Sequence, residues 1–342
     1  GIDKDTASTT AGIAASVTTI TGNGVPSLSK NYTLTSGVDD LSGTAGTNKF
    51  QAGLTSSGGN TLNSLDEIDG GAGTDTLNAS IATSITPGSI KNIENINLTF
   101  EGTAKTFNAT NVTGVTTLTD IASTALGITS NIGTTSTNIQ VSDNSVGATF
   151  TYKASAVSGS SDSLGLTLSN ATGAGITTIT GAIETVNVTS STSANSVQLN
   201  SAASTLNISG SEDLTLAAAS TILNQTTTID ASAATGDISL ASDNTAAAGA
   251  VTITGGSGND TLTSTGTNTA TDTISGGAGD DTITYTGDLA DADVINGGAG
   301  TDTLVSTSAL LTGLSTANNI SNTEILKASD VLASATLTVA TV

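Results

Sequence analysis

Short runs in which Ile, Leu or Val alternates with Thr, Ser or Asn recur along this chain. They fall at residues 115–119, 176–180, 185–189, 196–200, 205–209, 213–216, 227–230, 237–240 and 251–254. Period-two alternation marks a strand with one face buried and the other in water. From residue 176 to 254 the runs follow one another every 8 to 15 residues. That spacing suits either the coils of a solenoid or the strands of a sandwich. Helix-like apolar periodicity is scarce. With four Phe, three Tyr and no Trp, the core must be thin and aliphatic, which fits a narrow solenoid better than a thick two-sheet core.

Four glycine- and aspartate-rich nonapeptides punctuate this pattern, at residues 70–78, 255–263, 276–284 and 297–305. All read G-G-x-G-x-D-x-U-x, with U a large apolar residue, which is the parallel β-roll repeat that binds calcium. Calcium takes six to eight oxygen ligands at roughly 2.3–2.6 Å, many of them backbone carbonyls. Glycines at the first, second and fourth positions allow a tight turn with its carbonyls directed inward. They are Gly70, Gly71 and Gly73; Gly255, Gly256 and Gly258; Gly276, Gly277 and Gly279; and Gly297, Gly298 and Gly300. The sixth-position carboxylates Asp75, Asp260, Asp281 and Asp302 add charge, and Leu77, Leu262, Ile283 and Leu304 are expected to point into the coil. One nonapeptide supplies half a coordination shell, so each ion is expected between stacked turns.

The last three copies start 21 residues apart, which is one full coil. One ion is therefore expected between the turns at Gly255 and Gly276, and another between those at Gly276 and Gly297. The lead-in D-x-I-x-G-G recurs at Asp66, Asp272 and Asp293, and these aspartates are counted among the metal residues. The complete turns are expected along one edge, roughly 4.8 Å apart. A degenerate fifth copy at 39–50, aligned with 66–77, has Thr44 for its second glycine and Asn48 for its acidic ligand. It should stack on the next coil with a calcium site that is weak or missing.

A second similarity divides the chain into two modules. Asn92-Ile93-Glu94 follows the first nonapeptide, Asn322-Thr323-Glu324 follows the last, and Ala182-Ile183-Glu184 resembles both. These glutamates read as strand-start residues facing solvent, since lone carboxylates are usually solvated. The division expected is an N-terminal strand or linker region at 1–37, a first calcium module at 38–100 and a Thr/Ser-rich strand region at 101–250. A calcium β-roll at 251–305 and C-terminal strands at 306–342 complete it. The expected fold class is all-β: calcium β-roll coils of a parallel β-solenoid, with a Thr-rich short-strand region that is itself solenoid or sandwich.

Charge sharpens the partners. There are 29 acidic residues against seven lysines, for a net charge of −22, and no basic side chain between Lys153 and Lys327. Stacking these carboxylates requires an outside cation to offset self-repulsion. Nucleic acid is excluded as a partner for want of a basic patch, and no apolar run is long enough to span a bilayer. Absence of Cys and His removes disulfides, zinc sites and Ser-His or Cys-His nucleophile systems. The adjacent pairs Asp39-Asp40 and Asp280-Asp281 would point to opposite faces of a strand, so no enzymatic activity is expected. An ice-binding face, which needs one regular T-x-T row, is not expected either. Gly1 is not an initiator residue, which points to a fragment or a processed product.

In its nonapeptides, lead-ins, Thr/Ser/Ala/Gly bias and lack of Cys the chain resembles RTX-type proteins exported by type I secretion. Within these it most resembles the surface-layer proteins and large adhesins of Gram-negative bacteria. The resemblance implies calcium-dependent folding outside the cell and self-association into a two-dimensional layer at the bacterial surface. Cell-surface polysaccharide, bound through a region the sequence does not identify, is the further partner expected. It also implies two readings of the apolar C-terminus at 336–342, as an export signal or as a strand cut short. The alternative implied function is an adhesin or extender segment of a calcium-stiffened fibre.

Overall fold

The computed structural model describes residues 29–330, apart from 174, 243–248, 266–269, 287–288, 290–291 and 314–318. The C-terminal segment at 336–342 and most of the 1–37 region lie outside the described residues. Every pairing between neighbouring strands of the named sheets is parallel, and successive strands of a sheet come from successive turns. The chain is a stack of coils, an all-β parallel solenoid, whose helices among the described residues are short: α-helices at Ile222–Gln225 and Ser308–Gly313 and 3-10 turns at Ala109–Asn111 and Ala154–Ala156.

One sheet of fourteen strands runs the length of the stack, from Asn31–Thr33 to Ile320–Ser321. At roughly 4.8 Å per strand it extends about 60 Å. The second wall changes along the way. A four-stranded sheet (Asp40–Ser42, Glu67–Asp69, Ser89–Lys91, Val112–Thr113) flanks the first turns. An eleven-stranded sheet takes over from Lys105–Asn108 and continues to Ile325–Ala328. The long sheet is continuous through residues 100 and 250, where Asn95–Phe100 pairs with Thr117–Ile121 and Thr228–Ala234 with Thr252–Thr254.

Alternation positions the core. In the long sheet Leu164, Val186, Leu206, Ile229, Ile253, Ile274, Ile295 and Ile320 follow one another in register. All eight are buried. Each turn thus presents one aliphatic side chain to the same inner row, where a one-residue slip would turn the whole strand inside out. The eighth residues of the nonapeptides, Leu77, Leu262, Ile283 and Leu304, are all buried. Phe50, Phe100, Phe107, Phe150, Tyr152 and Tyr285 are the bulky members of an otherwise aliphatic core.

Candidate metal centre

The glycine loops occupy corners of the solenoid, and they occupy two different ones. The loop at 70–75 follows Glu67–Asp69 of the four-stranded sheet and leads into Thr76–Ile81 of the long sheet. The loops at 255–260, 276–281 and 297–302 leave the long sheet and lead into the eleven-stranded one, at Thr261–Ser264, Thr282–Tyr285 and Thr303–Ser306. Three complete copies therefore stack on one edge, as their 21-residue step requires. The copy at Gly70 stands at the opposite edge of the long sheet, which corrects the expectation of a single edge.

Within each loop the glycines are used for room and for conformation. Gly71, Gly73, Gly277, Gly279, Gly298 and Gly300 have φ between 89° and 143°, a region that a side chain rarely enters. The first-position glycines sit where backbones meet. A Cβ on Gly276 would strike the Gly297 carbonyl and Asp281 Oδ2, and one on Gly255 the Gly276 carbonyl, with Asp260 Oδ2 at 2.5 Å. Gly70 has the same surroundings in the Asn92 carbonyl and Asp75 Oδ2 at 2.7 Å. Gly256 and Gly258 are wedged instead against Ala234 O and Gly236 O of the preceding turn.

The sixth-position aspartates form ladders. Asp281 Oδ1 accepts the backbone N–H of Asp260 (2.7 Å) and Asp302 Oδ1 that of Asp281 (2.9 Å). Asp260 Oδ1 accepts from Ile238 N (2.8 Å), and at the other edge Asp75 Oδ1 accepts from Asn48 N (2.6 Å). One oxygen of each carboxylate is thereby fixed. The second oxygen of Asp75, Asp281 and Asp302 is buried with no hydrogen-bond partner, whereas that of Asp260 accepts from Gly256 N (2.6 Å). Burial pushes the Asp281 carboxyl up to about 6, aided by the nearby charges of Asp260, Asp302 and Asp280 and opposed by the Asp260 N–H. Asp260 is also raised, again first by burial.

A buried, orphaned carboxylate oxygen beside a carbonyl oxygen is costly unless a cation lies between them. The donor set is all oxygen, mostly backbone, and carries excess negative charge, which is what a hard divalent cation of calcium's size requires. Among the described residues no three acidic side chains gather at a point. That is as it should be for shells built largely from carbonyls. The residues present fit calcium.

Other expected ligands are placed elsewhere. Asp272 and Asp293 stand at the opposite end of the strand from the glycine loop of their own turn. There Asp272 Oδ1 accepts from Val251 N and Asp293 Oδ1 from Asp272 N (both 2.9 Å), and Asp272 Oδ2 accepts from Tyr285 Oη (2.7 Å). Asp66 accepts from Asp39 N and Asn63 N (2.9 and 2.8 Å) and is one strand, roughly 10 Å, away from its loop. All three are buried anchors of the stack and do not join the glycine loops, because the strand between lead-in and loop separates them. Asn48 is also no ligand as it stands. Its Nδ2 donates to Gly46 O, Thr44 O, Gly70 O and Asp75 Oδ1 (2.5, 3.2, 3.2 and 2.8 Å), so a hydrogen-bond donor occupies the place of a cation.

Several residues of the site escaped the sequence patterns. The glutamates of the two N-x-E corners keep contact with solvent, Glu324 exposed and Glu94 half-buried, and they also cap the ladders. Glu94 Oε2 accepts from Asp75 N (2.7 Å) and Glu324 Oε2 from Asp302 N (2.8 Å). Glu184 does the same for Asp162 N (2.8 Å). Asn195 repeats the part of Asn48, donating to Ser191 O and Ser193 O (3.2 and 2.8 Å). Nothing in the local sequence around Asn195 announces this.

Parallel coils, glycine corners and laddered buried aspartates define a calcium-stabilised β-roll. Four segments, residues 64–81, 245–268, 266–284 and 288–307, match the RTX calcium-binding nonapeptide repeat. The chain carries RTX calcium-binding nonapeptide repeats, and the match is confined to those segments. Proteins with such repeats are typically secreted, and no helix among the described residues is long and apolar enough to cross a membrane. No curated protein matches the chain.

Proposed function

We propose that this is a structural protein of a bacterial cell surface that assembles, with calcium, into a two-dimensional layer. One observation carries the reading. Beside the buried ladder runs an exposed one: Asp213 Oδ1 accepts from Asp237 N, Asp237 Oδ1 from Asn259 N, Asn259 Oδ1 from Asp280 N, and Asp280 Oδ1 from Thr301 N (2.6–2.9 Å). These residues form an acidic column along one edge of the solenoid, in a stretch of chain with no basic side chain between Lys153 and Lys327. Two such edges repel until cations screen or link them. Linking by calcium demands geometry, whereas screening follows ionic strength alone.

The function is structural in this reading and no catalysis is assigned. The partner is a second copy of the chain, with cell-surface polysaccharide as anchor. Ordered sheets are expected at millimolar calcium, and neither sodium chloride of equal ionic strength nor magnesium should replace it. Negative-stain electron microscopy and light scattering with and without calcium test this. A monomer throughout that range overturns it. A second reading, an adhesin or extender segment of a stiff fibre, draws on the unbroken run of fourteen strands, and isolated rods or end-to-end chains on the grid would favour it.

A further inference from the structure

The nonapeptides account for the gaps between glycine loops, but two buried carboxylate oxygens look into gaps that have a glycine loop on one side only. Asp75 Oδ2 and Asp302 Oδ2 have no partner, and both residues are at most 1 % exposed. Each faces the turn that follows its loop, and that turn is an N-x-E corner. A Cβ on Gly70 would run into the Asn92 carbonyl with Asp75 Oδ2 at 2.7 Å; a Cβ on Gly297 would run into the Asn322 carbonyl with Asp302 Oδ2 at 2.6 Å.

The two corners are built alike although they lie on opposite edges. Asn92 and Asn322 both take the left-handed conformation, with φ of 53° and 49°, which asparagine tolerates better than most residues. Their side-chain amides reach back to the residue before the first glycine, Asp69 Oδ1 and Asn296 Oδ1, at 2.8 Å in each case. Glu94 and Glu324 then accept the N–H of the loop aspartate, Asp75 or Asp302, as the aspartate of the next repeat does inside the array.

Asn48 shows what such a gap holds. Its Nδ2 lies against the carbonyls of Thr44 and Gly46 in its own loop and against Gly70 O and Asp75 Oδ1 in the next turn. Transferred one turn on, the same positions are Gly71 O, Gly73 O, Asn92 O and Glu94, with Asp75 Oδ2 in place of the amide donor. At the far end they are Gly298 O, Gly300 O, Asn322 O and Glu324, with Asp302 Oδ2. The donor is missing in both, and the oxygens remain.

We propose that each N-x-E corner closes a terminal calcium site, one between Gly70–Asp75 and Asn92–Glu94 and one between Gly297–Asp302 and Asn322–Glu324. The proposal extends the calcium chemistry of the repeats to turns outside the matched segments and does not depend on assembly. Glu184 supplies an internal contrast. It caps Asp162, but Asp162 Oδ2 already accepts from Gly159 N (3.0 Å), and the turn has no G-G-x-G loop.

Native mass spectrometry and calcium titration of the full chain test this. Glu94→Ala and Glu324→Ala are each expected to lose one ion, or to need at least tenfold more calcium to hold it, and the double variant two. Glu184→Ala should retain the full complement. Unchanged stoichiometry and titration in both single variants overturn the proposal. Crystals of the unaltered protein grown with calcium give a reading independent of any variant's folding. Anomalous density is expected beside Asp75 Oδ2 and beside Asp302 Oδ2. Its absence there, with the gap between Gly276 and Gly297 filled, overturns the proposal equally.

Discussion

The side-chain amide of Asn48 donates to Asp75 Oδ1 at 2.8 Å while its backbone N–H donates to the same oxygen at 2.6 Å. At this gap the protein supplies from its own chain the positive end that the gaps beside the complete G-G-x-G loops leave to an ion. A carboxylate in place of the amide removes both donors of the NH2 group and adds a charge. Asn48→Asp should therefore bind one more calcium ion than the unaltered protein. It should also be less stable in chelator, by roughly 1–3 kcal/mol for the unsatisfied buried groups. Ion counting by native mass spectrometry and thermal unfolding with and without EDTA check both halves. An unchanged count with an unchanged melting point would mean that the amide does not stand in for a cation.

Asp281 faces two gaps between glycine loops, and Asp260 faces one. Asp281 Oδ2 looks toward the Gly297 carbonyl, while its Oδ1 borders the turn of Asp260, whose N–H it accepts. Asp281→Ala should lower calcium affinity at both gaps and Asp260→Ala at one. Isothermal titration should thus show a greater loss for Asp281→Ala, by about tenfold or more. Equal losses would place the ions differently.

Calcium also competes with steric filling at the first glycine. Gly276→Ala sets a methyl group against the Gly297 carbonyl and Asp281 Oδ2, and neither is the flexible end of a long side chain. Overpacking of this kind costs about 1–3 kcal/mol, with loss of the ion in addition. Gly53 is the control, since a methyl group added there would meet no atom within 4 Å and its φ is not left-handed. Melting in calcium should fall for Gly276→Ala and stay within a degree or two for Gly53→Ala.

A pH effect is expected away from the calcium loops. Burial pushes the Asp120 carboxyl up to about 7 from 3.8, against hydrogen bonds from Ser123 Oγ and Asn144 Nδ2, and its Oδ2 has no partner. The folded state holds a proton here that the unfolded chain releases near pH 4. Between those two values the native form binds more protons, so stability falls as pH rises, by about 1.4 kcal/mol per pH unit at most, and levels off above 7. Asp120→Asn should remove this slope and be more stable than the parent at pH 8. Denaturant unfolding in saturating calcium at pH 5 and pH 8 measures it, and a parent with no slope that Asp120→Asn alters would refute the assignment.

Much was legible in the chain because it depends on local repetition. Alternation of Ile, Leu and Val with Thr, Ser and Asn places one face of every strand inside whatever the strands pair with. The 21-residue step fixes one coil per repeat from Gly255 to Gly297, and the glycine spacing with Asp75, Asp260, Asp281 and Asp302 names the metal. These properties travel with the peptide.

What only the tertiary structure decided is which neighbours each corner meets. The same nonapeptide lies on opposite edges at Gly70 and Gly276, because the strand after it enters the long sheet in one case and the eleven-stranded sheet in the other. Asp66, Asp272 and Asp293 sit close to the glycines in sequence but a strand's length away in space. Asn92 and Glu94 lie some twenty residues from Gly70 and Asp75 and yet touch them. In a solenoid a residue's partners are one coil away, and coil length varies with each corner. Sequence by itself determines the groups that a turn offers, while the stacking of turns determines which groups share a gap and whether a cation or an asparagine amide fills it.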